Sequence, residues 1–144
     1  MKTKETYVYY TDASYSEKWN CYTTAFSCSC PNKKERYEDY FYMGDKLFET
    51  IQANGAEVVG AINIFKHVKE HIEQVDRAII YYDNYLIPFL AEGKIKPDNY
   101  VYLNYLYLYY DLYKIIELRK VDQQDPKHRK VDKMANRLLK KHTS

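Results

Sequence analysis

The chain has 144 residues and a mass of 17.3 kDa, is 46% hydrophobic and 29% charged, and carries a formal net charge of +2. That length fits one domain spanning residues 1–144 around one core, and the apolar share excludes a fully disordered chain. No apolar run reaches the ~18 residues of a membrane span, and the Met-Lys-Thr-Lys-Glu start lacks the apolar core of a signal peptide. A cytoplasmic protein with no membrane association is therefore expected.

Two compositional features carry little. The 18 tyrosines and 4 glycines match what AT-rich coding produces, and a base-stacking platform needs only about two or three exposed rings. Cys21, Cys28 and Cys30 lack the paired spacing of zinc modules and read as free thiols in a reducing compartment. His67 and His71 are spaced i, i+4 on a helix; a metal pair is one reading and a polar helix end the plainer one. Charge is more informative. From Lys114 to Ser144 there are ten lysines and arginines against four acids, a local net of +6, beside a remainder of −4. A basic segment next to an acidic body suits a protein that meets a polyanion while holding cations elsewhere.

In chain order, Tyr7 to Ser14 reads as a β-strand rich in aromatic and β-branched residues. Trp19 to Cys30 reads as a second strand, stopped by the polar turn Pro31-Asn32-Lys33-Lys34, and Tyr37 to Met43 as the third strand of an antiparallel meander. Gly44 to Gln52 is ambiguous between strand and loop. From Asn54 the apolar period lengthens through Ala56, Val59, Phe65 and Val68, predicting an amphipathic helix to about His71, with Asn54 as N-cap and Glu57 in the first turn.

Arg77 to Asp83 is a short, nearly all-apolar run, the mark of a strand buried on both faces. Asn84 to Leu90 follows as a brief helix, then the polar loop Glu92 to Asn99. Tyr100 to Tyr113 is long enough to favour a helix over a strand. Ile115 to Val121 reads as a strand and Lys127 to Lys141 as a terminal helix. The order predicts an α/β fold with a mixed sheet and helices on both faces.

Four acids fall where open α/β sheets gather chemistry, at strand ends and helix N-termini. Asp12 lies within the first strand, Glu57 opens the long helix, Asp83 ends the fourth strand and Asp132 lies early in the last helix. Taken singly, each has an ordinary role, as a strand-edge residue or a first-turn acid favoured by the helix dipole. Taken together, and with the first and fourth strands as neighbours, they converge.

These residues resemble the ribonuclease H family in its bacterial type I and retroelement form. The likeness runs through Tyr10-Thr11-Asp12-Ala13-Ser14, Asn54-Gly55-Ala56-Glu57, Ile79-Ile80-Tyr81-Tyr82-Asp83-Asn84, Asp125-Pro126 and Val131-Asp132-Lys133-Met134-Ala135-Asn136, covering about Tyr7 to Leu139. The resemblance implies a mixed five-stranded sheet, three antiparallel strands followed by parallel ones. It implies an endonuclease that hydrolyses the RNA strand of RNA/DNA hybrids, with Asp12, Glu57, Asp83 and Asp132 as catalytic residues holding two Mg²⁺ or Mn²⁺ ions. Clustered carboxylates repel and call for hard divalent cations; two such ions ~3.5–4 Å apart serve in-line hydrolysis.

By the same resemblance, Asn54, Gln52 and Asn84 bind substrate, with Ala53 interrupting the run of amides that contacts RNA 2′-hydroxyls. The glycine-rich turn usual after the first strand is replaced by Tyr15-Ser16-Glu17-Lys18-Trp19-Asn20. Where the family carries a catalytic-loop histidine this chain has Asp122-Gln123-Gln124-Asp125-Pro126, so Asp122 or His128 is the auxiliary candidate, His128 otherwise reading as a surface helix residue. The basic terminal helix takes on phosphate binding. A monomer is expected, and a start at Met1 points to a free-standing protein. Two alternatives stay open: a catalytically divergent nucleic-acid-binding module of the same fold, and a related DNA nuclease.

Overall fold

The computed structural model describes residues 3–144. Nine elements follow in chain order: β1 (Glu5–Ser16), β2 (Cys21–Ser29), β3 (Arg36–Met43), α1 (Phe48–Glu70), β4 (Val75–Tyr82), α2 (Leu86–Ala91), α3 (Tyr100–Leu112), β5 (Ile116–Lys120) and α4 (Pro126–Thr143). The strands form one mixed sheet in the order β3-β2-β1-β4-β5. β1, β2 and β3 pair antiparallel, whereas β4 runs parallel to both β1 and β5. The expected elements are all present, and the expected α/β architecture with a five-stranded sheet is the one observed.

Alternation along β1 separates two apolar layers. Tyr7 and Tyr9 point into the larger layer, against Phe26, Phe65 and Val68, beneath α1. Tyr10 points the other way, to Ala25, Val131 and Ala135, beneath α4. Helices therefore cover both faces, with α3 lying on α1 and α4 crossing β1, β2 and β3. α1 sits close to the sheet because Gly60 has no side chain: a Cβ there would stand 2.9 Å from Thr11 Oγ1. On the opposite face, the buried Thr23 Oγ1 donates to the Ala135 carbonyl of α4 at 2.7 Å.

Three expectations need correction. The stretch from Gly44 to Gln52 is neither strand nor simple loop, because helical structure begins at Phe48 and breaks at Gln52, whose φ of 46° and ψ of −127° lie outside helical space. Asn54 is consequently not an N-cap; it stands past the break, in the first turn of the continuous part. His128 is not a surface residue but 4% exposed, with a buried Nδ1 that has no partner among the described residues. In contrast, Asn99 and Asp125 cap α3 and α4 through side-chain bonds to Tyr102 N and Lys127 N. Pro126 follows Asp125 at the start of α4, where a missing N–H costs nothing.

The histidine pair on α1 is occupied with protein. His67 Nδ1 meets Tyr9 Oη at 2.8 Å and His71 Nδ1 meets the His67 carbonyl at 2.8 Å. Burial, with the neighbouring His71, holds the His67 imidazole below its usual pKa. All three cysteines are free. Among the described residues no helix is long and apolar enough to cross a membrane.

Candidate active site

The site forms where β1 outruns β4. Pairing between the two ends at Tyr10 and Tyr81, so the next residues, Asp12 on β1 and Asp83 just past β4, border the same opening. Asp12 shares the strand face of Tyr10, toward α4, and is 6% exposed. Its Oδ1 accepts the Ala13 N–H at 2.9 Å. Glu57, two turns before the sheet-contacting Ile64 and Phe65, and Asp132, from α4, are the acids near enough to act on the Asp12 carboxyl. Asp132 is held in turn by Asn136 Nδ2 at 3.2 Å, one turn further along the same helix.

The electrostatics record this crowding. Burial pushes the Asp12 carboxyl up to about 7; the bond to Asp132 adds to the rise, while bonds from Glu57 and the Ala13 N–H oppose it. Glu57 is raised well above the usual carboxylate range, first by burial and then by the charge of Asp12, with Asp83 contributing. Both carboxyls are therefore easier to protonate than a free carboxylate.

Asp83 is placed differently from the other three. It is half-buried and faces two side chains that the sequence reading did not single out: Lys120 Nζ at 2.9 Å, from the end of β5, and the Gln123 amide. The signal was available, since parallel pairing of β4 and β5 places Lys120 opposite Tyr82, next to Asp83. The set therefore divides into a carboxylate trio of Asp12, Glu57 and Asp132 with Asp83 alongside. Among the described residues no group of three or more histidines, cysteines, aspartates or glutamates is arranged to hold a metal ion. What the four share is donor chemistry: each offers carboxylate oxygens, the ligand type that hard divalent cations take.

The amides resolve into two groups. Asn84 Nδ2 donates to Asn54 Oδ1 at 2.8 Å, bridging the β4–α2 turn and the start of the continuous part of α1 beside Glu57. Gln52 turns away and donates to the Glu49 carbonyl at 3.2 Å. Asp122 is exposed and caps its own loop through the Gln124 N–H at 2.9 Å, while His128 lies one turn before Asp132 within the α4 layer.

No protein-family model and no curated protein matches the sequence. Solved structures do. LC11-RNase H1 in complex with an RNA/DNA hybrid has a TM-score of 0.75 at 12% identity, over 96% of this chain and 99% of that one. RNase H1 from the halophilic archaeon Halobacterium salinarum has a TM-score of 0.68 at 12% identity, over 94% and 98%. The N-terminal RNase H domain of rv2228c from Mycobacterium tuberculosis has a TM-score of 0.65 at 12% identity, over 96% of each chain. Near-complete coverage in both directions, with the same mixed sheet, establishes that this chain has the ribonuclease H fold.

Proposed function

We propose that the protein is a metal-dependent endoribonuclease that hydrolyses the RNA strand of RNA/DNA hybrids. The observation that carries this reading is the approach of Glu57 and Asp132, both half-buried, to the buried Asp12 at the β1 opening, with Asp83 at its rim. Burial raises both Asp12 and Glu57, and perturbed carboxylates of this kind concentrate at functional sites.

Asp12, Glu57, Asp83 and Asp132 would hold two Mg²⁺ or Mn²⁺ ions. When bound, such ions activate a water for in-line attack on phosphorus and stabilise the leaving 3′-oxygen, giving 3′-hydroxyl and 5′-phosphate ends. The chain's own groups prepare for this. Because burial raises both Asp12 and Glu57, cation loading would release protons and be favoured as pH rises. Lys120 must leave Asp83, or share it, before that carboxylate coordinates anything. The Asn54–Asn84 pair stands at the mouth of the opening with amide donors and acceptors for a ribose 2′-hydroxyl, the group that distinguishes RNA from DNA.

One observation favours a second reading, a hybrid-binding module that does not cleave. The Lys120 ammonium already neutralises Asp83, as a metal ion otherwise would. Labelled RNA/DNA hybrid, double-stranded RNA and double-stranded DNA, incubated with Mg²⁺, Mn²⁺ or EDTA beside an Asp83→Asn variant, separate the readings. Metal-dependent cleavage of the hybrid alone, abolished by Asp83→Asn, is expected. Binding without cleavage of any substrate assigns the module, and cleavage of duplex DNA alone assigns a DNA nuclease.

A further inference from the structure

The acidic opening continues into a groove of opposite character. It runs between the end of β1 and α4, has a volume of about 420 Å³, and is lined by Ser14, Lys133, Asn136, Arg137, Lys140 and Thr143 among others, with no acid in the lining. Ser14 follows Asp12 by two residues on the same strand face, and Asn136 donates to Asp132. The groove therefore begins at the carboxylate trio. α4 carries seven lysines and arginines against one acid, Asp132 itself. Lys133, Arg137 and Lys140 recur at i, i+4 and i+7, which places them on one face. Lys127 of the same helix is paired, with Glu35 at 3.3 Å, whereas Lys133, Arg137 and Lys140 belong to no ion pair among the described residues.

We propose that this groove binds the phosphodiester backbone of the strand whose scissile phosphate sits at Asp12 and Asp132, carrying it along α4 toward Thr143. The inference rests on the nuclease reading for the direction of the strand. Its spacing fits: Lys133 to Lys140 covers about 10 Å at a rise of ~1.5 Å per residue, the axial distance of three nucleotide steps of ~3.4 Å. The Ser14 hydroxyl and the Asn136 amide interleave with the three cations, a set suited to phosphate oxygens and silent about base sequence, while Thr143 Oγ1 donates to the Leu139 carbonyl at 2.9 Å. A carboxylate cluster repels a phosphate chain, and the neighbouring cationic face supplies the attraction that brings it there.

The test is a titration of labelled RNA/DNA hybrid in EDTA, where nothing is cut, over a salt series with an Arg137→Gln/Lys140→Gln double variant. Both side chains are exposed, so neither substitution disturbs the core. Losing two phosphate contacts should lower the slope of log K against log salt by about 1.8, and Lys140→Gln alone by about half that. Lys66→Gln, removing an exposed cation on α1, should leave the slope unchanged.

With Mg²⁺ present, the loss should fall in KM rather than kcat. A folded double variant with the wild-type slope overturns the groove, even if the hybrid is cleaved. A reduced slope in a protein that cleaves nothing retains the groove and defeats the nuclease reading. Absence of any nucleic-acid binding by the wild type, with polyglutamate binding weakened in the double variant, assigns the face to an acidic protein partner and overturns the proposal.

Discussion

Asp12 and Lys120 set the chemistry of the opening from opposite sides. Asp12 is buried among carboxylates, so its charge is opposed in the absence of cations. Asp12→Asn should lower hybrid cleavage by about 100-fold or more, since it removes an oxygen donor from the metal set. It should also raise the melting temperature of the metal-free protein at pH 8 by a few degrees (about 2–5 °C), because one of the repelling charges is gone. A nuclease assay and a thermal melt of the same preparation check both. Lys120 offers the converse case. Freed of its ammonium at 2.9 Å, Asp83 should accept metal more readily, so Lys120→Gln should reduce the Mg²⁺ concentration for half-maximal activity about threefold to tenfold, ~1 kcal/mol of competing ion pair. An unchanged Mg²⁺ dependence would show that Asp83 does not take metal. His128 belongs to the α4 layer by burial, so His128→Ala should cost about 1–3 kcal/mol of stability, measured by denaturant unfolding. A loss of turnover at unchanged stability would make it the auxiliary group instead.

Among the elements, α1 is where sequence and structure part most clearly. Its apolar period after Asn54 is read without difficulty because the face is buried continuously, from Ala56 through Val68. The preceding turn has no such period. Phe48 is buried while Glu49 and Thr50 are exposed, and the break at Gln52 uses a positive φ that a glutamine adopts only at a cost. Gln52→Gly should therefore stabilise the protein by about 1 kcal/mol, read as a shift in denaturant midpoint. A destabilised variant would mean that the Gln52 bond to the Glu49 carbonyl outweighs the strain. The same break swings Asn54 from a capping role to Asn84, assembling an amide pair that neither segment announces by itself. α4 behaves in the opposite way: its cap, its Pro126 and its basic face are all local, and all appear as the sequence suggests.

At the scale of the whole molecule, the carboxylate cluster ties stability to pH and metal. Asp12 titrates at about 7 in the folded protein and at about 3.9 when unfolded. Between those values the native state holds a proton the unfolded chain has lost, so stability falls as pH rises through that window. Glu57, raised as well, acts in the same direction. In EDTA the melting temperature should drop between pH 5 and pH 8, and Mg²⁺ should restore more of it at pH 8 than at pH 5 because it binds the deprotonated cluster. Equal melting curves with and without Mg²⁺ at pH 8 would defeat the metal reading.

What the sequence by itself determined follows from local and periodic physics. β-branched and aromatic runs marked the strands, a helical apolar period marked α1 after Asn54, and the order of elements specified the α/β class. The four acids were legible as candidates through the short motifs around them and their order along the chain.

Only the tertiary structure decided how they relate. Parallel pairing of β1 with β4 and close approach of α1 at Gly60 join Asp12 to Glu57 across 45 positions of chain, while β5 delivers Lys120 to Asp83. The burial of His128 and the continuity of the groove with the acidic opening were likewise invisible, since both depend on α4 crossing the sheet. Charge repulsion and burial act through space, and one chain's sequence records only neighbours along it.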